Sequence, residues 1–298
     1  MIRFVNAKIN IGLQIVSRRP DGYHDLQTLF YPVGLHAGTA RNPEAFCDIL
    51  EITRSDSKSG FTLSSSGNKV ECPQVKNLVW RAAELFFAAL PQESDFSVNI
   101  SLDKHLPDGA GMGGGSADAA FTLAMLADLA KEHVSVGTVP PDAELAEMAL
   151  RLGADCPFFL LNRPAYAEGV GEKLHPVPLD LSGKWLVVVK PDVSVSTREA
   201  FAGVTPKAAT FDLRTLPSLP IVEWREVVHN DFEDSIFPRY PQFAEIKSAL
   251  YATGALYASL TGSGSCLYGI YSDCDSAEVA RREMKTIPTI TSTYLLEL

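Results

Sequence analysis

Five glycines fall within seven residues: Gly109, Gly111, Gly113, Gly114 and Gly115. Ahead of them Phe96 to Leu102 alternates as a strand does. Behind them Ser116 to Ala130 sets Ala119, Leu123, Leu126 and Ala130 at helical spacing, with Asp118 and Asp128 on the other face. Glycine reaches positive φ freely and, lacking a Cβ, lets backbone N–H groups come close to a ligand. It also loses the most conformational freedom on folding, so five of them are a costly way to make a plain turn. Ser116 is placed to cap the helix, whose free amides and dipole favour an anion. Strand, glycine turn and helix start together predict a phosphate cradle over Pro107 to Ala120. The bland alternative is a glycine-rich link from strand to helix.

The cradle is not of the commonest kinds. No Gly-Lys-Ser/Thr follows the glycines, so it is not a Walker A loop. The 298 residues carry 26 basic and 36 acidic side chains, a net charge of −10. That overall field repels nucleic acid, whereas a few backbone amides can still hold a short anion. A small anionic ligand is therefore expected, with no nucleic-acid partner. Five scattered cysteines, none in a Cys-x-x-Cys pair, fit reduced thiols. No stretch approaches the ~18 apolar residues of a membrane span. Met1 to Asn10 already alternates like a strand, with no signal-like segment before it. The expectation is a cytoplasmic protein without a membrane partner.

Further strands are predicted at Phe4 to Val16, Tyr23 to Val33, Asp48 to Thr53, Trp185 to Val189 and Cys266 to Tyr271. Helices are predicted at Asn77 to Ala89 with Asn77 as N-cap, Pro141 to Leu152, Tyr240 to Ala252 and Ser276 to Lys285. Ser55 to Gly67, rich in Ser, Gly and Lys, reads as a hairpin tip or exposed loop. The pattern resets beyond Asn162. Two α+β layers with a boundary near 162–166 result, which agrees with the length prior of ~100–200 residues per domain.

The run Pro-x-Gly-Ala-Gly-x-Gly-Gly-Gly-Ser-x-Asp-Ala-Ala at 107–120 resembles the phosphate loop of the GHMP kinase superfamily. The segment AKINIGLQIVSRRPDGYHDLQTLF at 7–30 narrows the match. It resembles the branch whose members phosphorylate a hydroxyl of 4-diphosphocytidyl-2-C-methyl-D-erythritol in non-mevalonate isoprenoid precursor biosynthesis. GADCPFFL at 153–160, PDVSVSTREAF at 191–201, NDFED at 230–234 and LTGSGSCLYGIY at 260–271 follow in the family's order.

This resemblance implies a two-domain α+β GHMP kinase fold with the active-site cleft between the domains. Residues 1–163 would be the ATP-binding domain with the phosphate loop, and 164–298 the C-terminal GHMP-kinase-type domain contributing substrate contacts. ATP and Mg²⁺ would be the cofactors, the magnesium ligands not being legible, and the chain a monomer or weak homodimer. Lys8 and Asp155 would be the catalytic pair. Asn10 and Thr197 would contact the cytidylyl substrate, Tyr23 and Phe201 would sandwich its cytosine, and His24 would read the polar edge of the base. Asn77 would line the nucleotide site together with Pro107, Gly109, Ala110, Gly111, Met112, Gly113, Gly114, Gly115 and Ser116. Ala117 departs from the second serine of many members, and Asp108 puts an acid at the loop that is expected to face solvent. RNPEAF at 41–46 reads as a local insertion.

The chemistry suits these residues. An aspartate can accept a hydroxyl proton, and a lysine can stabilise the charge that develops. Lys8 lies among Val5, Ala7, Ile9 and Ile11, and Asp155 within LGADCPFFLL, so each needs a partner if buried. Pairing them would supply it. The alternatives are a Lys8 that faces water and an Asp155 that caps a helix. For Tyr23 and Phe201 the alternative is ordinary core packing. For Thr261 to Ser265 it is a tight turn that lets backbones approach, against Gly262 and Gly264 bringing amides to a phosphate. Arg18 and Arg19 read as solvated, with contact to a substrate phosphate as the other possibility. Other GHMP kinase acceptors (homoserine, mevalonate or a sugar) and a non-catalytic nucleotide sensor are the rival functions.

Overall fold

The computed structural model describes residues 1–34, 46–56, 60–70, 72–91, 94–134 and 138–298. Its first elements are β1 (Ile2–Val5), β2 (Ala7–Arg18), β3 (His24–Val33), β4 (Asp48–Arg54) and β5 (Gly60–Gly67). Then come α1 (Leu78–Ala89), β6 (Ser97–Lys104), α2 (Gly114–His133), α3 (Asp142–Leu152) and α4 (Cys156–Leu161). They are followed by β7 (Ala165–Gly169), β8 (Lys173–Pro176), β9 (Trp185–Pro191), α5 (Thr197–Gly203), α6 (Trp224–Val227) and α7 (Phe232–Ile236). The chain ends in α8 (Pro241–Ala252), β10 (Tyr257–Leu260), β11 (Leu267–Tyr271), α9 (Cys274–Lys285) and β12 (Ile290–Glu297). Among the described residues no helix is long and apolar enough to cross a membrane.

Two compact units form. The first comprises Met1–Ala7, Cys47–Asp108 and Gly113–Asn162; the second comprises Lys8–Phe46, Gly109–Met112 and Arg163–Leu298. The last crossing, at 162/163, falls where the sequence pattern resets. The two earlier excursions, 8–46 and 109–112, are long-range exchanges that local periodicity cannot express.

In the first unit a sheet of order β1-β4-β6-β5 lies with the helices α1 to α4. The segment expected as a hairpin tip is instead strand β5, parallel to β6 in the register Gly60↔Ser97 to Gly67↔Lys104; residues 57–59 lie outside the described residues. Its serines misled the reading because they form the polar face of the strand. Thr62 bonds Asn99 at 2.8 Å, Ser64 bonds Ser101 at 3.2 Å and Ser66 bonds Asp103 at 2.7 Å. The alternate residue Phe61 packs edge-on against Trp80 at 4.7 Å. A parallel pair needs a crossover, and α1 supplies it. Asn77 starts that helix as expected, its Oδ1 accepting from the Val79 N–H at 2.9 Å.

Helix α2 is central and corrects two expectations. Gly113, at φ 73°, is its N-cap, so Ser116 lies inside the first turn and caps nothing. Asp118 is not on a wet face: it is 2 % exposed and its Oδ2 accepts from Lys104 Nζ at 2.7 Å. The helix is covered on most of its circumference, from Ala117 to Ala130, so a polar residue there must find a partner inside. Asp128 does face solvent, beside Lys131.

In the second unit β2-β3-β7-β8 form one sheet and β10-β11-β9-β12 another. Val187, Val189, Leu260 and Leu267 of the latter meet Phe243, Ile246, Leu250, Ala277 and Ala280 in one core. The strand expected over Phe4 to Val16 breaks at Asn6 into β1 and β2. Asn6 and Asn162 there exchange side-chain amide hydrogen bonds of 2.9 and 3.1 Å.

The N-cap gives a direct check. Asn77→Ala is expected to lower the unfolding free energy by ~1 kcal/mol in urea melts, whereas Asn77→Asp is expected to leave it within a few tenths.

Candidate active site

The glycine loop alternates two roles. Gly109, Gly111 and Gly113 have φ of 59°, 72° and 73°, while the side chains between them, Ala110 and Met112, are buried. Four successive carbonyls are turned into the second unit. Gly109 O accepts from Ser265 N at 3.3 Å, Ala110 O from Cys266 N at 3.2 Å and Met112 O from Lys8 N at 3.0 Å. Gly111 O accepts from both Lys8 Nζ and Thr261 Oγ1, each at 3.1 Å. Because a trans peptide sets its N–H opposite its C=O, the N–H groups of residues 110–113 point away from these donors. The first N–H groups of α2, which begins at Gly114, have no intrahelical acceptor.

The turn at 261–265 is what grips the loop. A Cβ on Gly111 would stand 2.1 Å from Thr261 O, and one on Gly262 would stand 2.9 Å from Gly111 O. The turn therefore acts as a close backbone approach. Asn230, fully buried, holds it by donating to Leu260 O at 2.9 Å and Gly262 O at 3.0 Å.

Lys8 points inward and is 3 % exposed. Its ammonium donates to Asn10 Oδ1 at 2.6 Å and lies 4.9 Å from the centre of the Phe30 ring. Asn10 in turn donates to Thr28 Oγ1 at 2.9 Å, and its N–H donates to Thr261 Oγ1 at 3.2 Å. Lys8, Asn10 and the glycine loop are thus one connected group. Asp155 occupies the N-cap position of α4, but its carboxylate makes no capping bond, and the residue is half-buried. The neighbouring Cys156 thiol is pushed up to about 12, chiefly by burial and further by the Asp155 charge, so it stays protonated. A Cβ on Gly153 would lie 3.5 Å from Cys156 Sγ and 3.8 Å from Ser116 Oγ, so the Ser116 hydroxyl lies beside the turn carrying Asp155. Asp108 is exposed, as expected.

The His24 ring stacks on Phe201, with centroids 4.9 Å apart and planes 20° apart. Burial and then the Arg18 charge hold that imidazole below its usual range, so it is neutral near pH 7. Tyr23 is 65 % exposed and is no core aromatic. The face of Phe201 is therefore covered by His24 and not by Tyr23. Thr197 opens α5 and lies 3.2 Å from Ser263 Oγ, beside the gripping turn. Arg19 is tied to Asp21 at 3.0 Å. In the first unit Asn77 lines a cavity of about 440 Å³ with Leu63, Ser65, Asn68, Lys69 and Cys72.

Sequence reasoning did not assign Thr261 and Asn230 their gripping roles, nor Lys104 and Asp118 their pairing. His229, Asp231 and Asp234 bring possible metal ligands within 4.8 Å of one another. Lys207 Nζ already bridges the two carboxylates, at 3.1 and 3.0 Å.

The grip predicts a contrast between two loop glycines. Gly111→Ala meets both a left-handed φ and a backbone oxygen, so a drop in melting temperature and loss of nucleotide binding are expected. Gly109→Ala meets nothing within 4 Å. It should cost only the left-handed preference, ~1–2 kcal/mol. Melting curves with and without Mg-ADP check both.

The GHMP kinases N terminal domain model matches residues 77–163, and the GHMP kinases C terminal model matches residues 219–287. The chain is 46% identical over 274 residues to the 4-diphosphocytidyl-2-C-methyl-D-erythritol kinase of Bacteroides fragilis, covering 91% of this chain and 92% of that one. It is 41% identical over 278 residues to that of Porphyromonas gingivalis, covering 91% and 92%. Among solved structures, a 4-(cytidine 5'-diphospho)-2C-methyl-D-erythritol kinase superposes with a TM-score of 0.74 at 31% identity, covering 100% of both chains. A homoserine kinase from Cytophaga hutchinsonii (TM-score 0.67, 17% identity, 99% of this chain and 95% of that one) shares the fold alone. With its glycine loop gripped by the turn at 261–265 and Lys8 buried against it, the chain belongs to the 4-diphosphocytidyl-2-C-methyl-D-erythritol kinase family of the GHMP kinases.

Proposed function

We propose that this protein transfers the γ-phosphoryl group of ATP to a hydroxyl of 4-diphosphocytidyl-2-C-methyl-D-erythritol, a step of non-mevalonate isoprenoid precursor biosynthesis. The observation that carries the reading is the buried Lys8 ammonium bonded to the Gly111 carbonyl of the glycine loop, in a chain so similar to kinases of that name. A buried cation held against a prospective phosphate site is what stabilising a transferring phosphoryl group asks for.

In this reading the amides of residues 109–116 bind the ATP phosphates, with Pro107 setting the entry to the loop. Asn77 and the cavity beside it take the nucleoside. Asp155 accepts the proton of the attacking hydroxyl. Lys8 stabilises charge on the transferring group, and Asn10 and Thr197 orient the acceptor. Phe201 and His24 offer stacked ring surface to the cytosine, and exposed Tyr23 is free to lay its ring on the other face. Base–aromatic stacking contributes ~1–3 kcal/mol per base. Residues 1–163 then bind ATP and also bring Asn10, Tyr23, His24 and Asp155 to the acceptor, while 164–298 contribute substrate contacts through Thr197 and Phe201.

Mg²⁺ suits the first unit. Ser116 Oγ and the Asp155 carboxylate are hard oxygen donors, and the Ser116 hydroxyl lies beside the turn that carries Asp155. The ion would supply charge neutralisation of the nucleotide's phosphates. The five free cysteines support a cytoplasmic setting. A monomer or weak homodimer is the proposed state.

ADP release from purified protein with Mg-ATP tests the reading, with the cytidylylated acceptor, mevalonate and homoserine compared side by side. Turnover is expected with the cytidylyl acceptor alone, and Asp155→Asn is expected to lower it by ~10²–10⁴-fold. Nucleotide binding without turnover on any acceptor would overturn the kinase reading.

A further inference from the structure

Three charged side chains are buried together beneath the start of α2: Asp48 at 0 %, Lys104 at 7 % and Asp118 at 2 % exposure. Lys104 Nζ donates to Asp118 Oδ2 at 2.7 Å and to Asp48 Oδ2. Asp48 Oδ1 accepts the backbone N–H groups of His105 at 2.6 Å and Leu106 at 2.8 Å. Lys104 is the last residue of β6, and Asp118 lies in the second turn of α2. The whole glycine loop lies between them in sequence. We propose that Asp48, Lys104 and Asp118 are positioning residues for the nucleotide, clamping the strand end to the helix start so that the loop between them is held open for phosphate. The inference rests on the loop's reading as a phosphate cradle.

Burying three charges is a poor way to stabilise a core, since apolar replacements of similar volume are often as stable or more so. Ionic clusters of this kind serve better to fix one register. Here the fixed element is specific. Asp48 sets the two residues that leave the strand, and Lys104 ties them to the helix. A Cβ on Gly114, the first helical residue, would lie 3.6 Å from Lys104 Nζ, so the ammonium sits under the helix terminus itself.

The cluster's charge matters for the same reason. Two carboxylates and one ammonium sum to −1, close to where phosphates would bind. Burial works against the Lys104 charge, but the carboxylates of Asp118 and Asp48 outweigh it and hold the ammonium protonated. Asp118 Oδ1 is buried without a hydrogen-bond partner among the described residues.

Calorimetric binding of Mg-ADP tests this without any acceptor chemistry. Asp118→Ala is expected to raise the Kd about tenfold or more, and the KM for ATP alike, with the acceptor KM unchanged within about twofold. Asp118→Asn, which keeps an oxygen for Lys104 to donate to, should bind within about threefold of the parent. A folded Asp118→Ala with unchanged Kd overturns the proposal. If Asp118→Ala does not fold, Asp118→Ser decides: a Kd raised about tenfold or more with the acceptor KM unchanged supports the clamp, and an unchanged Kd overturns it. Mg-ADP binding that follows this pattern in a protein inactive on every acceptor would sink the kinase reading alone.

Discussion

Four consecutive carbonyls, from Gly109 to Met112, accept hydrogen bonds from Ser265, Cys266, Thr261 and Lys8. A peptide unit cannot turn its C=O one way without turning its N–H the other. Fixing the carbonyls therefore fixes what the loop can offer an anion. The grip requires glycine in two places at once, because Gly111 and Gly262 approach closer than a Cβ on either would allow. It also draws four residues of the loop into the second compact unit while its flanks remain in the first.

Charge is handled locally. The chain carries a net −10, which disfavours a triphosphate at long range. Backbone amides at the helix start and the buried ammonium of Lys8 oppose that field at short range, where screening is weakest. Each buried cation has polar partners: Lys8 has Asn10 and the Gly111 carbonyl, and Lys104 has two carboxylates. Without such partners the burial would be prohibitive.

Elements with strong periodicity were legible: α1, α3, α8, α9, β9 and β11 all lie where apolar spacing puts them. Strand β5 was not, because its serines pair across the sheet edge and composition alone reads as a loop. Asp118 was placed on a wet face because a two-state pattern cannot show that α2 is covered almost all round. A signal existed nonetheless. Val98, Ile100 and Leu102 are buried on one face of β6, and Lys104 continues the same phase. Asp48 stands likewise in phase with Leu50 and Ile52. Charges in phase with apolar residues on two strands are candidates for one buried pair. The grip of Thr261 on Asn10 joins residues 251 apart, which no local pattern encodes. The site residues came from motif resemblance, and the structure adds which of them touch: Lys8 with Asn10, and His24 with Phe201.

In the proposed reaction the γ-phosphoryl group moves from ATP to a carbon-borne hydroxyl and not onto the acceptor's diphosphate. Phosphorus-31 NMR of the complete reaction reads this directly. Loss of the ATP γ signal is expected, with the two ADP signals and one new phosphomonoester signal appearing and the acceptor's pair of diphosphate signals unchanged. Orthophosphate as the sole product beside ADP, or a change in the acceptor's diphosphate pattern, would rule that reaction out.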